Sequence, residues 1–208
     1  LLVELLAPGT RRLYWCGLAD VQVEVVNIAD SAELAPALVQ RLVQTQSRQR
    51  AVAGPAGVLQ LQVPEPGAAL LWVDGKVEKL LAPGSYAFWK FNRNVSAELV
   101  DLRLQALDVA GQDILTRDKV ALRLNLAATW RFTDVLQAYT KLQKPAEHLY
   151  RELQFGLRAA VGTRTLDELL ENKGVIDEVV SAHVRQKMQG HGLALESVGV
   201  KDIVLPGE

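Results

Sequence analysis

The side chains in this sequence able to carry acid–base, nucleophilic or metal chemistry are few and scattered. The histidines are His148, His183 and His191. An imidazole can act as a general base or bind zinc, but no His-Glu-x-x-His pair and no Cys/His spacing sets two ligands on one element. His183 falls on an apolar helical face and reads as a satisfied, partly buried histidine. His148 follows Glu147 at a helix start and reads as a surface group. Cys16 is the single cysteine, so no intrachain disulfide is available, and no histidine stands in a nucleophile motif with it. Asp101, Asp108, Asp113 and Asp118 invite a reading as paired acid–base carboxylates. Their spacing across strands and turns gives no reason to converge, and turn geometry explains Asp113 and Asp118 better. There is no Gly-x-Ser-x-Gly elbow and no phosphate loop. The sequence therefore points to no catalytic, metal-binding or cofactor-binding residue, and to a protein that is not an enzyme.

One cluster has the composition of a binding surface. Tyr86-Ala87-Phe88-Trp89-Lys90-Phe91-Asn92-Arg93 mixes rings with cations, which suits a bilayer interface where rings sit among headgroups and cations meet anionic lipid. In a strand, Tyr86 and Phe88 share one face and Trp89 and Phe91 the other. The plainer reading, that these aromatics fill a core and leave Lys90 and Arg93 solvated, is favoured. Trp89, Lys90, Phe91 and Arg93 remain the candidates for a membrane or partner surface.

Bulk properties narrow the classes further. The 208 residues carry 23 basic and 24 acidic side chains, a net charge of −1, with no polybasic tail, so nucleic acid is not the expected partner. No run of apolar residues is long enough to span a bilayer as a helix; the stretch from Ala51 to Val73 is interrupted by Glu65, prolines and glutamines. No basic and apolar series after Leu1 makes a signal peptide. The absence of Met at Leu1, inside an apparent strand, suggests a piece of a longer polypeptide, soluble as it stands.

The elements that must position these residues follow from periodicity. Leu1–Leu6, Arg12–Trp15 and Val21–Val25 read as strands, with Pro8-Gly9 as a turn. Asp30 and Ser31 are placed to cap a short helix carrying Leu34, Leu38 and Leu42, and the polar Gln44–Arg50 stretch, followed by Gly54-Pro55, reads as a linker. Beyond it come Val58–Val63, then Leu70–Val73 and Val77–Leu81 flanking the hairpin dipeptide Asp74-Gly75. Two long strands, Val95 to Val109 and Lys119 to Phe132, complete the β-rich part. From Thr133 the period becomes helical. Leu149, Leu153, Leu157 and Val161 form a stripe after Pro145, Thr165 to Glu168 forms a capping box, and Leu169, Ile176, Val179, Val180, His183, Val184 and Met188 continue a helical face. Alternation returns in Leu193–Val198. Strands, helices and a final strand make an α+β order. Two regions are expected: 1–50, a small β unit plus short helix, and 51–208, mainly β over 51–133, then helices and the last strand over 134–208.

Residues 3–28 and 77–102 look like two copies of one unit. Leu5 to Thr10 matches Leu80 to Ser85 around Pro8-Gly9 and Pro83-Gly84; Leu13 and Tyr14 match Phe88 and Trp89; Glu24 to Ile28 matches Glu98 to Leu102. Both Pro-Gly turns are expected to be type II and to send Leu13 and Phe88 to equivalent inner positions.

From about Gly54 onward the sequence resembles the stomatin, or slipin, branch of the SPFH (Band 7, prohibitin-homology) family. The residues that carry the likeness are Leu107-Asp108-Val109, Gln112 to Thr116, Asp118-Lys119-Val120, Trp130-Arg131-Phe132, Leu157 through Leu170, and Gly199 through Pro206. The resemblance implies an antiparallel, β-rich α+β domain with packed helices, here preceded by the duplicated small β unit. It implies a non-catalytic, membrane-associated scaffold, on the cytoplasmic side, that oligomerises and organises or regulates membrane proteins or proteases. It also implies self-association through a C-terminal helix beyond this sequence, contact with membrane lipid, and an NfeD-type membrane protein as partner. The reading from another class is a soluble hydrolase or ligand-binding domain whose pocket the sequence does not reveal.

Overall fold

The Asp74-Gly75 dipeptide sets the geometry of the first half of the chain. In the computed structural model, which describes residues 2, 4–15, 17, 20–49 and 57–205, these two residues take φ values of 49° and 79°, the left-handed pair that a type I′ hairpin needs. The turn joins β2 (Gly67–Val73) to β3 (Lys76–Leu81), and β5 (Val95–Asp101) pairs on the other side of β2, giving the antiparallel order β3-β2-β5. A second ladder pairs β1 (Val58–Val63) with β4 (Gly84–Trp89). Val63, Ala69, Leu71, Leu81, Phe88 and Val95 close one core. Helix α1 (Pro36–Gln49) lays Leu38, Val39 and Leu42 against Ala87 and Trp89 in another.

Helix α1 departs from the sequence reading. Ser31 does not cap it; its Oγ accepts from the Glu33 N–H at 3.1 Å in a local turn. The helix opens at Pro36, whose fixed φ and missing N–H suit a first helical turn. It continues through most of the stretch read as a linker, because Gln and Arg are good helix formers when nothing breaks the run. Gly54-Pro55 lies outside the described residues. Leu1–Asp101 forms one compact unit, so α1 belongs with the later strands.

Among the described residues, the expected N-terminal β unit does not form. Pro8-Gly9 makes a turn of the expected kind, the Thr10 N–H donating to the Ala7 carbonyl at 3.1 Å with Gly9 at φ 77°. Gly84 has φ 155° and begins β4, so the two Pro-Gly turns redirect the chain differently. The described residues of 4–30 join no ladder. Leu13 is fully exposed, whereas the matched Phe88 is fully buried. An alternating segment becomes a strand only when a neighbour takes up its backbone hydrogen bonds, and none does so here. Leu1, Val3 and Cys16 lie outside the described residues.

The second compact unit, Leu102–Glu208, is a three-stranded antiparallel sheet covered on one face by helices. Its strands are β6 (Gln105–Leu115), β7 (Ala121–Phe132) and β8 (Leu193–Val204), in the order β6-β7-β8. The single strand expected over 95–109 is two, β5 and β6, in different sheets. Alternation runs on across residues 102–104 and carries no mark of which neighbour pairs with each half. Helices α2 (Val135–Lys141), α3 (Pro145–Gly162), α4 (Leu166–Glu171) and α5 (Gly174–Met188) lie between β7 and β8 in the chain. Leu122, Leu124, Leu126 and Trp130 on the inner face of β7 meet Leu149, Leu153, Leu157 and Val161 of α3 and Ile176, Val180, Val184 and Met188 of α5. Both helical stripes stand where the 3.6-residue period puts them.

Gly192, before β8, locks this unit to α2. Its carbonyl accepts from the N–H groups of Thr133 and Asp134, at 2.9 and 3.1 Å. Its φ is 71°, and a Cβ there would fall 2.0 Å from the Asp134 carbonyl oxygen. Gly192→Ala is expected to lower stability by about 3 kcal/mol, combining backbone strain with a clash against backbone. Gly111→Ala, at φ 64° with nothing near its Cβ, is expected to cost about 1 kcal/mol from φ alone. Chemical denaturation of both variants checks the contrast.

Candidate functional site

The residues most specific to this sequence meet at one corner of the second unit. The β6–β7 turn closes on itself: the Thr116 and Val120 backbones are bonded, the Lys119 N–H donates to the Thr116 carbonyl at 2.9 Å, and Lys119 sits at φ 65°. The Thr116 side chain is buried. Its hydroxyl donates to Asp118 and accepts from the Val120 N–H at 2.9 Å. This places Asp118 so that its carboxylate accepts from the Leu166 N–H at 3.2 Å, at the first turn of α4. Thr165 and Glu168 complete the predicted capping box on the same helix end, at 3.3 and 2.9 Å. Arg117 ties the parts together: its N–H donates to the Arg164 carbonyl at 2.7 Å and its guanidinium pairs with Glu168 at 3.0 Å.

Electrostatics follow this geometry. The Thr116 hydroxyl, then the backbone N–H groups of Asp118 itself and of Leu166, then the Arg117 charge, hold the Asp118 carboxyl below its usual range. The Thr165 N–H, with help from Arg117, does the same for Glu168. Arg123, bidentate on Asp113 at 2.9 and 3.1 Å, lowers that carboxyl on the outer face of the sheet. These are carboxylates held ionised as hydrogen-bond acceptors. A general acid needs the opposite shift. Asp118 is thus a turn residue, as the sequence suggests, and also a helix cap across 48 positions of chain, which no local pattern announces.

The three histidines come closer together than their spacing implies. His183 Nε2 lies 3.0 Å from Glu152 Oε2, His148 Nε2 lies 4.0 Å from Glu152 Oε1, and the His148 and His191 rings stack with centroids 6.0 Å apart. His183 is the satisfied histidine expected on α5, its partner supplied by α3. The His148–Glu152 spacing of one helical turn was readable; the approach of His183 was not. Among the described residues no group of three or more His, Cys, Asp or Glu is arranged to hold a metal ion.

The aromatic–basic cluster is mainly core. Trp89, one of the four candidates for a membrane or partner surface, is buried among Leu34, Leu38, Leu42 and Ala87, and Phe91, another, stacks on it at 6.0 Å. Phe91 also lies over Gly57, where a Cβ would stand 2.2 Å from the ring. Alternation correctly separates the two faces, but each face of β4 has its own cover: β2 and β3 on the Phe88 side, α1 on the Trp89 side. Lys90 is exposed, and the Arg93 guanidinium donates to the Ile28 carbonyl. Beside α1 and β4 runs an open groove of about 440 Å³ lined by Leu34, Pro36, Val39, Val43 and Tyr86. Its Glu33 is paired with Lys79, and its lining holds no nucleophile with a base beside it. No helix among the described residues is long and apolar enough to cross a membrane.

Residues 61–208 match the model of the SPFH domain / Band 7 family. The chain is 31% identical over 110 residues to a stomatin homolog of Pyrococcus horikoshii, covering 53% of this chain and 41% of that protein. It is 32% identical over 113 residues to Stomatin-3 of Caenorhabditis elegans, covering 54% and 42%. It is 29% identical over 107 residues to Mechanosensory protein 2 of the same organism, covering 51% and 22%. The chain therefore spans well under half the length of these relatives.

The corner makes two predictions. Thr116→Val keeps the shape but removes the acceptor of the Val120 N–H, and is expected to cost about 1–3 kcal/mol in denaturant titration. A depressed carboxyl pKa gives stability that is present above the unfolded value and lost as pH falls through the folded one. Melting temperature should therefore fall on acidification below about pH 4, and Asp118→Asn should flatten that fall by lowering the neutral-pH value. In the first unit, Trp89→Ala should destabilise by about 3–5 kcal/mol and Lys90→Ala hardly at all. Equal effects would return Trp89 to the surface.

Proposed function

Because the chain belongs to the SPFH domain / Band 7 family, we propose that it is a non-catalytic module of a membrane-associated scaffold, one that oligomerises and organises or regulates membrane proteins or proteases. The observation that carries this reading is the use made of its distinctive polar residues. Arg117, Asp118, Thr165 and Glu168 bond one another and the α4 backbone, so the chemistry-bearing side chains of the family-like motifs hold the fold together. Among the exposed side chains of the second unit are the apolar Leu115, Leu136, Phe155 and Leu170, as suits a module that works by contact. The alternative of a hydrolase or ligand-binding domain would use the open α1–β4 groove, whose Glu33 is already paired with Lys79.

Membrane contact on the cytoplasmic side, self-association through a C-terminal helix beyond residue 208, and pairing with an NfeD-type membrane protein belong to the same proposal. Fractionation and cross-linking of the native protein test it. The expected result is sedimentation with membranes and cross-linked multiples of the subunit, while the 208-residue chain stays monomeric or a small oligomer by light scattering. A native protein that is monomeric and free of membrane, or a turnover on ester or peptide substrates that disappears in Glu152→Gln and His183→Gln, would overturn it.

A further inference from the structure

The N-terminal segment exposes apolar side chains that its later counterpart buries. Leu13 is 102% exposed where Phe88 is 0%, Leu6 is 41% where Leu81 is 3%, and Val26 is 42% where Val100 is 5%. Val23 is 80% and Val25 90% exposed, Val25 standing where Leu99 is itself 54% exposed. The segment is nonetheless held in place. Leu2, Leu5 and Ile28 pack against the α1 cluster, Arg41 pairs with Glu24 at 2.6 Å, and Arg12 pairs with Glu4 at 3.1 Å. An anchored segment that joins no ladder, and whose valines are exposed, leaves apolar side chains without cover, and such exposure marks a missing partner.

The second copy identifies that partner. Leu81, Phe88 and Val95 are buried by Val63 of β1 and by Ala69 and Leu71 of β2, and Val100 stands opposite Ala68 of β2. Both covering strands precede the matched stretch in the chain. At the spacing that superposes Pro8 on Pro83, their counterparts fall immediately ahead of Leu1, with the equivalent of the Asp74-Gly75 turn adjoining it. We propose that residues 4–15 and 20–28 belong to the open half of a second β unit, closed in the native polypeptide by a two-strand segment of that same polypeptide lying just before Leu1. Once it is in place, the valines of 21–26 become a ladder, and Leu13 becomes core.

Amide hydrogen exchange decides this, comparing the 208-residue chain with the protein expressed from its own initiating methionine, both dilute. Residues 21–26 should exchange about 100-fold or more slowly in the longer protein and near the unprotected rate in the shorter one. Leu13→Asp should abolish the protection in the longer protein and leave the melting of the shorter one unchanged. Equal, fast exchange in both chains overturns the proposal, as does protection that survives Leu13→Asp. Protection that appears in the 208-residue chain and grows with concentration also overturns it, since a second copy would then be the cover.

Discussion

Helix α4 begins in an awkward place. Helix α3 ends at Gly162, and within a few residues the chain must start another helix whose first N–H groups have no internal acceptor. Thr165 and Glu168 satisfy part of that need locally. Asp118 satisfies another part from the β6–β7 turn. That single carboxylate connects a turn to a helix far along the sequence, and Arg117 beside it repeats the connection through Glu168 and the Arg164 carbonyl. The sheet and the α3–α4 corner are thereby fixed to one another by charge-assisted hydrogen bonds at an exposed rim. The packing between β7, α3 and α5 fills the space that this attachment defines.

The same logic explains the quiet chemistry of the second unit. A carboxylate that accepts several hydrogen bonds is stabilised in its charged form and becomes a poor proton donor. Asp113, Asp118 and Glu168 are all of this kind. Glu152 is shared by His183 and, more distantly, by His148 on its own helix, so the His183–Glu152 pair braces α5 against α3. These polar side chains take part in the hydrogen bonds and ion pairs of the fold itself. This agrees with a family whose members include stomatins.

The first unit is organised around burial on both sides of a strand. Ala68 through Leu71 of β2 are buried on both faces, and β4 is covered by one core on its Phe88 side and by α1 on its Trp89 side. A strand pattern in which both faces are apolar looks, in sequence, like one with an exposed aromatic face. The N-terminal segment shows the converse: an alternating pattern whose described residues join no ladder.

Sequence alone determined the features that depend on a few adjacent residues. Asp74-Gly75 must turn tightly because few dipeptides tolerate two left-handed residues. Pro145 opens α3, the Thr165–Glu168 box starts α4, and the stripes at Leu149–Val161 and Ile176–Met188 face a core, because each is a local steric or periodic demand. One of the motifs that mark the family, Leu157 through Leu170, runs through the end of α3 and the capping box, and the others are equally short runs of adjacent residues, so the family was legible too. Tertiary structure alone decided what lies against each face: that Trp89 is covered by α1, that the alternation over 95–109 divides between two sheets, that Asp118 caps α4, that His183 meets Glu152, and that the Pro8-Gly9 copy forms no ladder. A residue's period tells which side it is on. Only the path of the rest of the chain supplies the atoms that bury, pair or leave open that side.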